Sequence, residues 1–212
     1  MHTTASTATA TTAKPGGRRL RWRVVDIVVA SVVGVAIGVV FWAYGVIWGP
    51  VSAPISAFLP GLQAAPAALW LIAGVIGGLI IRKPGAAMYT ELVAAVVSAL
   101  IGSQWGGLLT IEAGLVQGLG AELVFALFLY RRWGLPVAVL AGAGAGLAMG
   151  INDLILWYAG SAPAFATIYV VSAVVGGAVI AGALGWAAVR GLAKTGALSR
   201  FAAGRDAVRM TS

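Results

Sequence analysis

The sequence predicts an all-α integral membrane protein of six transmembrane helices with both termini cytoplasmic, and three observations carry that prediction. First, the chain is 60% hydrophobic and 9% charged over 212 residues, whereas soluble domains carry about 25% charged residues. Second, its apolar residues gather into six long stretches without the period-two alternation of a membrane barrel. Third, the 14 Lys and Arg residues fall only in alternate gaps. Lys14, Arg18, Arg19, Arg21 and Arg23 precede the first stretch, and Arg82 and Lys83 follow the second. Arg131 and Arg132 follow the fourth, and Arg190, Lys194, Arg200, Arg205 and Arg209 follow the sixth. The gaps near 49–65, 102–111 and 159–165 carry none. Basic residues stay on the cytoplasmic side, so the alternation orients every span.

The first span runs from about Val24 to Trp48, too long for the ~7–15-residue apolar region of a signal peptide. The others are expected near 66–81, 86–101, 112–130, 135–158 and 165–189, each near the ~20 residues that cross a bilayer core. The third is the shortest, which predicts little tilt or a partly re-entrant path. Pro50, Pro54, Pro60 and Pro66 are expected to break the first outer connection into a loop that folds over a site as a lid. The domain reading is a disordered cytoplasmic tail at 1–20, a transmembrane substrate-binding domain at 21–192 and a basic cytoplasmic tail at 193–212.

The net charge of +8 fits the positive-inside rule and an anionic inner leaflet better than nucleic acid. Cysteine is absent and His2 is the lone histidine, which argues against thiolate chemistry and histidine metal sites. No Ser/His/Asp set, HExxH motif or zinc-deaminase pattern is present, and Gly191-Leu-Ala-Lys194-Thr195 lacks the spacing of a phosphate loop. The chain therefore reads as a non-enzyme that needs no cofactor of its own. Any uphill transport must draw on an ion gradient or a separate ATPase.

Small residues mark close helix contacts. Ala30, Gly34 and Gly38 recur every four residues on the first helix, Gly142, Gly146 and Gly150 on the fifth, and Ala178 and Gly182 on the sixth. The last two sets suit packing within the chain; the first suits contact with a partner membrane protein.

Polar groups inside the spans carry the candidate chemistry. Asp26 is expected to pair locally with Arg21 and Arg23, and Asp206 lies in the basic tail. Glu91, Glu112, Glu122 and Asp153 remain, with Gln104, Gln117 and Asn152. At 1.5 Å per residue Glu91 and Glu122 each lie ~12–14 Å from the inner surface, a midplane pair, with Gln117 roughly 20 Å up and Asp153 near the outer mouth. On a helical wheel Gln117 lies about 140° from both Glu112 and Glu122, so the three do not share one pocket. Asp153 and Trp157 share a face, while Asn152 and Tyr158 point elsewhere. Trp42, Tyr44, Trp48, Trp105, Trp157 and Tyr158 lie at outer helix ends. They suit interfacial anchoring, and near carboxylates they suit stacking on a flat cationic ring.

Arg82-Lys83-Pro84-Gly85-Ala86-Ala87, Glu91, Gln117-Gly118-Leu119-Gly120-Ala121-Glu122, Phe125, Asp153-Leu154 and Thr195-Gly196-Ala197-Leu198 resemble the YkoE family over about residues 20–205. The resemblance implies a substrate-binding S component of an energy-coupling factor (ECF) transporter in a prokaryotic plasma membrane, with thiamine or its hydroxymethylpyrimidine precursor as ligand. It further implies a transmembrane coupling protein and two ATP-binding subunits as partners. Under it Glu91, Trp105, Gln117, Glu122, Asn152, Asp153, Trp157 and Tyr158 are substrate-binding candidates, and Ala30, Gly34 and Gly38 face the coupling protein. The competing expectation is an autonomous proton-coupled carrier or channel using Glu91 and Glu122.

Overall fold

The computed structural model describes residues 20–199 and 201–204, and those residues fold as helices joined by short turns. The helices are α1 (Val24–Phe58), α2 (Ala64–Ile81), α3 (Ala86–Gly102), α4 (Gly107–Leu127), α5 (Leu135–Leu156) and α6 (Pro163–Lys194). Five are long and apolar enough by length and composition to cross a membrane; α3 has 17 residues. Those 17 residues form one unbroken helix, about 25 Å at 1.5 Å per residue, which suits a nearly untilted crossing. Residues 1–19 of the tail expected at 1–20, Arg200 and residues 205–212 lie outside the described residues.

Helix α2 forms the centre. Its apolar window is 67% buried, against 28–39% for the other four long helices. Around it α1 packs on α3, α3 on α4, α4 on α5 and α5 on α6. Glycine makes the central position possible: a Cβ at Gly77 would lie 2.1 Å from Thr90 Oγ1, and one at Gly78 would lie 2.5 Å from Phe125 Cε2. Helix α2 also changes pitch, with a 3-10 turn at Ala68–Leu71 before the α-helical section Ile72–Ile81.

Two expectations are corrected. Pro50 and Pro54 do not break the first outer connection, because α1 continues through them to Phe58; the break is the short turn at 59–63, which holds Pro60, and Pro66 lies within α2. Thirty-five helical residues extend about 52 Å, well past the ~30 Å hydrocarbon layer, so carbonyls freed by proline there can meet water or hydroxyls. The second correction concerns Ala30, Gly34 and Gly38, which are buried against the chain's own α3. A Cβ at Gly34 would lie 2.7 Å from Val93 Cγ1, and one at Gly38 2.7 Å from Ala94 O. Close approach in lipid serves whichever helix is nearest, and here that helix is α3. The outward face of α1 is instead Val24, Val28, Val32, Val35 and Val39.

Helices α5 and α6 meet through glycine as expected. A Cβ at Gly142 would lie 2.1 Å from Gly177 O, one at Gly146 2.2 Å from Ala173 O, and one at Gly182 2.7 Å from Ala138 O. Where Gly142 and Gly177 touch, α6 widens into a π-helical stretch, Gly177–Leu184. Ala178 is only half-buried.

The basic end of the bundle is tied by Arg82-Lys83-Pro84-Gly85-Ala86-Ala87. Arg82 caps α2 in the left-handed conformation at φ 57°. Lys83 Nζ donates to Asp26 and, at 2.7 Å, to the Arg21 carbonyl. Asp26 also accepts from Arg23 Nη2 at 2.9 Å, so its ionic partners are Arg23 and Lys83 rather than Arg21. Trp22 Nε1 donates to Pro84 O at 2.8 Å, and Ala86 and Ala87 are fully buried.

Candidate binding site

All six helices contribute to one cavity of about 380 Å³. Each presents a single face. Glu91, Ala95 and Ser98 come from α3; Thr110, Ala113, Gly114 and Gln117 from α4; Met149, Asp153 and Trp157 from the α5 end. These spacings of three, four and seven are the helical repeat. Helix α1 adds Phe41 and Trp48, α2 adds Ala67 and Trp70, and α6 adds Tyr169.

Glycines on α4 set the depth. A Cβ at Gly114 would lie 2.3 Å from Ala95 Cβ, and one at Gly118 would lie 2.9 Å from Glu91 Cβ. Bare backbone here lets α3 and α4 close until Glu91 and Gln117 line the same wall. Glu91 is 1% exposed. Its Oε2 accepts from the Gly74 amide at 2.5 Å, whereas its Oε1 has no hydrogen-bond partner. A buried oxygen without a partner costs about 1–3 kcal/mol, so this carboxyl suits a donor supplied from outside the chain or a bound proton.

Asp153 forms the second polar point. Its Oδ2 accepts from Tyr169 Oη at 2.7 Å, which fixes the carboxyl and leaves the other oxygen for a further donor. Ser103 and Thr110 line the same space, joined at 2.8 Å between hydroxyls.

Aromatic rings close the remaining walls. Trp70 stands at the centre of one cluster, with ring centroids 4.8 Å from Tyr44, 4.9 Å from Trp48 and 4.7 Å from Trp105. Trp70 Nε1 donates to Phe41 O at 3.2 Å. Tyr158, Phe165 and Tyr169 form a second cluster with centroids 5.0–5.7 Å apart. The turn carrying Trp105 is held by Gln104 Nε2, which donates to Gly45 O at 2.9 Å. Such walls suit a flat ring, through stacking and, for a cation, attraction of about 0.5–2 kcal/mol per ring.

Of the substrate-binding candidates, Glu91, Trp105, Gln117, Asp153, Trp157 and Tyr158 line the cavity. Tyr158 joins it despite its position on the wheel, because α5 ends at Leu156 and the following turn brings the side chain round. Glu122 and Asn152 do not line it. Asn152 Nδ2 donates to Glu112 Oε2 at 3.1 Å and ties α5 to α4. Glu122 accepts from Gly85 N at 2.6 Å, Ala87 N at 2.9 Å and Tyr130 Oη at 2.8 Å, at the basic end of the bundle. Helix α4 stops at Leu127, and Leu129 and Tyr130 turn the chain back at φ 52° and 55°. Counting helical rise from Arg131 therefore overstates the depth of Glu122, and Glu91 and Glu122 are not a midplane pair. Burial, then the bond to Glu122, holds the Tyr130 phenol well above its usual range, so it stays a donor.

Sequence reasoning missed Trp70 and Tyr169 and treated Trp48 as an anchor. The signal for Trp70 was its place inside a span rather than at an interface. Tyr169 lies four residues after Phe165, one turn along the same face.

Three comparisons bear on this architecture. Residues 25–148 match the family described as ABC-type cobalt transport system, permease component. A protein of Bacillus subtilis (strain 168) bearing the name HMP/thiamine permease protein YkoE is 39% identical over 186 residues, covering 87% of this chain and 92% of that protein. The crystal structure of an S-component of an ECF transporter superposes with a TM-score of 0.82 at 35% identity, covering 90% of this chain and 95% of that one.

Proposed function

Because this chain belongs to the YkoE family and has the fold of an ECF S component, we propose that its cavity binds thiamine or hydroxymethylpyrimidine for uptake driven by ATP-hydrolysing partner subunits. The chain is a multi-pass membrane transport subunit. On this reading it sits in a prokaryotic plasma membrane with its basic helix ends inside, and a transmembrane coupling protein and two ATP-binding subunits complete the importer.

One observation carries the ligand assignment: a buried carboxyl, Glu91, lines an aromatic-walled cavity with one oxygen bonded and the other unpartnered. An aminopyrimidine offers an N–H donor to such an oxygen, and a ring cation suits Trp48, Trp70 and Trp105. Asp153 supplies a second acceptor. The family match to a cobalt permease description does not favour a metal here, since among the described residues no three His, Cys, Asp or Glu side chains gather where they could hold an ion.

No observation favours the autonomous carrier. Glu122 is occupied by backbone amides and Tyr130, so the proton pair that reading requires is not assembled.

The test is titration of the purified protein with thiamine and with hydroxymethylpyrimidine, following tryptophan fluorescence and calorimetry. Saturable one-to-one binding between nanomolar and low micromolar, about −8 to −12 kcal/mol, is expected for one of them. Folded protein that binds neither would overturn the ligand assignment, and solute flux in liposomes holding this chain alone would favour the carrier.

A further inference from the structure

The part of the molecule that holds the cavity has no full positive charge. Residues 24–81, 84–130 and 133–189 contain no Lys, Arg or His. The described basic residues stand at the opposite helix ends: Arg21 and Arg23 ahead of α1, Arg82 and Lys83 between α2 and α3, Arg131 and Arg132 between α4 and α5, and Arg190 and Lys194 at the end of α6. The cavity lies toward the other ends, where Trp48, Ser103, Trp105 and Trp157 line it. Two carboxyls line it as well, Glu91 and Asp153. The starts of α2, α4 and α6 are the positive features at this end, each equivalent to roughly half a charge and confined to its first turn.

We propose that this site takes its ligand only in the unphosphorylated form, as a neutral or cationic ring ending in a free hydroxyl, and excludes the corresponding phosphate monoester by charge. The inference rests on the reading that the cavity is the ligand site. A monoester carries about −1.5 to −2 charges near neutral pH. Placed here it would be stripped of water, would face acidic side chains and would meet no cation of the chain. A phosphate reaching outward past Trp157 gains nothing, because the connections at that end also lack basic residues. A free hydroxyl meets no such penalty, and the Ser103 and Thr110 hydroxyls can bond it.

The exclusion places a reaction ahead of uptake. Where the compound is present as its monoester, a phosphate-ester hydrolysis must act on the outer side. Water adds at phosphorus, the P–O bond to the ligand breaks, and alcohol and inorganic phosphate leave.

The experiment titrates the full chain in lipid nanodiscs with thiamine, hydroxymethylpyrimidine and the monophosphate of each. The expected result is that the monophosphate of the bound compound is weaker by roughly 100-fold or more. Leu109→Arg, at a half-exposed lining position, is expected to recover about 10-fold of the ester's affinity while changing the parent compound less. A monophosphate binding within about 5-fold of its parent would overturn the exclusion and leave the ligand assignment standing. An unchanged ester affinity in Leu109→Arg, with the parent still bound, would show that charge is not its basis. Failure of both parent compounds to bind would remove the ligand assignment and this inference together.

Discussion

The amide of Gly74 donates to Glu91 Oε2 at 2.5 Å, joining the central helix to the candidate site. Gly74 is the third residue of the section Ile72–Ile81 that follows the 3-10 turn. Glu91 supplies this amide with an acceptor from another helix. Only glycine fits without a shift, since a Cβ there would lie 3.0 Å from that same oxygen.

Glu91→Gln keeps the size of the side chain and removes the charge. We expect ligand affinity to fall by at least about 10-fold in the glutamine variant, with the fold retained. Glu91→Ala should in addition lower stability by about 1–3 kcal/mol, because the buried Gly74 amide loses this bond. Calorimetric titration together with thermal unfolding separates the two effects.

Glu122 should behave in the opposite way. Its oxygens accept from Gly85, Ala87 and Tyr130, away from the cavity. Glu122→Ala is expected to cost about 2–4 kcal/mol through the orphaned amides and to leave affinity in the folded fraction within about 3-fold of the parent. A large loss of affinity without loss of thermal stability would return Glu122 to the site.

Small residues on α1 offer a similar contrast. Gly34→Leu and Gly38→Leu would drive a side chain into Val93 and Val97, and overpacking of this kind costs roughly 1–3 kcal/mol. Val32→Leu on the outward face should be nearly neutral, as Val32 is 62% exposed to the surroundings of the bundle. The measurement is thermal unfolding in detergent. Unchanged unfolding of the glycine variants, with loss of co-purifying partner subunits, would instead make that face an external interface.

Tyr169→Phe removes the hydroxyl that donates to Asp153 Oδ2. We expect affinity to fall by about 3- to 10-fold as the carboxyl loses its fixed orientation, a loss of about 1 kcal/mol. Asp153→Asn should weaken binding further, and the double variant should be less than additive because the two residues share one bond. Additive losses would mean that Tyr169 acts on the ligand independently of Asp153.

Hydropathy, the alternating basic gaps and the glycine spacings were enough to lay out this protein's helices, because lipid forces every backbone polar group into a helix and keeps basic residues at the ends. The faces carrying Asp153 with Trp157, and Gln117 apart from Glu112 and Glu122, were likewise legible, since 3.6-residue periodicity is local. Depth was not. Glu122 was misplaced because α4 stops at Leu127 and the chain doubles back through Tyr130, a turn with no glycine or proline to announce it. Nor could spacing say which neighbour receives Gly34 and Gly38, or that Gly74 would leave its amide for Glu91. Those outcomes depend on which helices come to lie side by side, a choice made by the fit of their surfaces rather than by any one helix. The sequence by itself determined what kind of molecule this is and which end of it is basic; tertiary packing decided which carboxyl remains with an unpartnered oxygen.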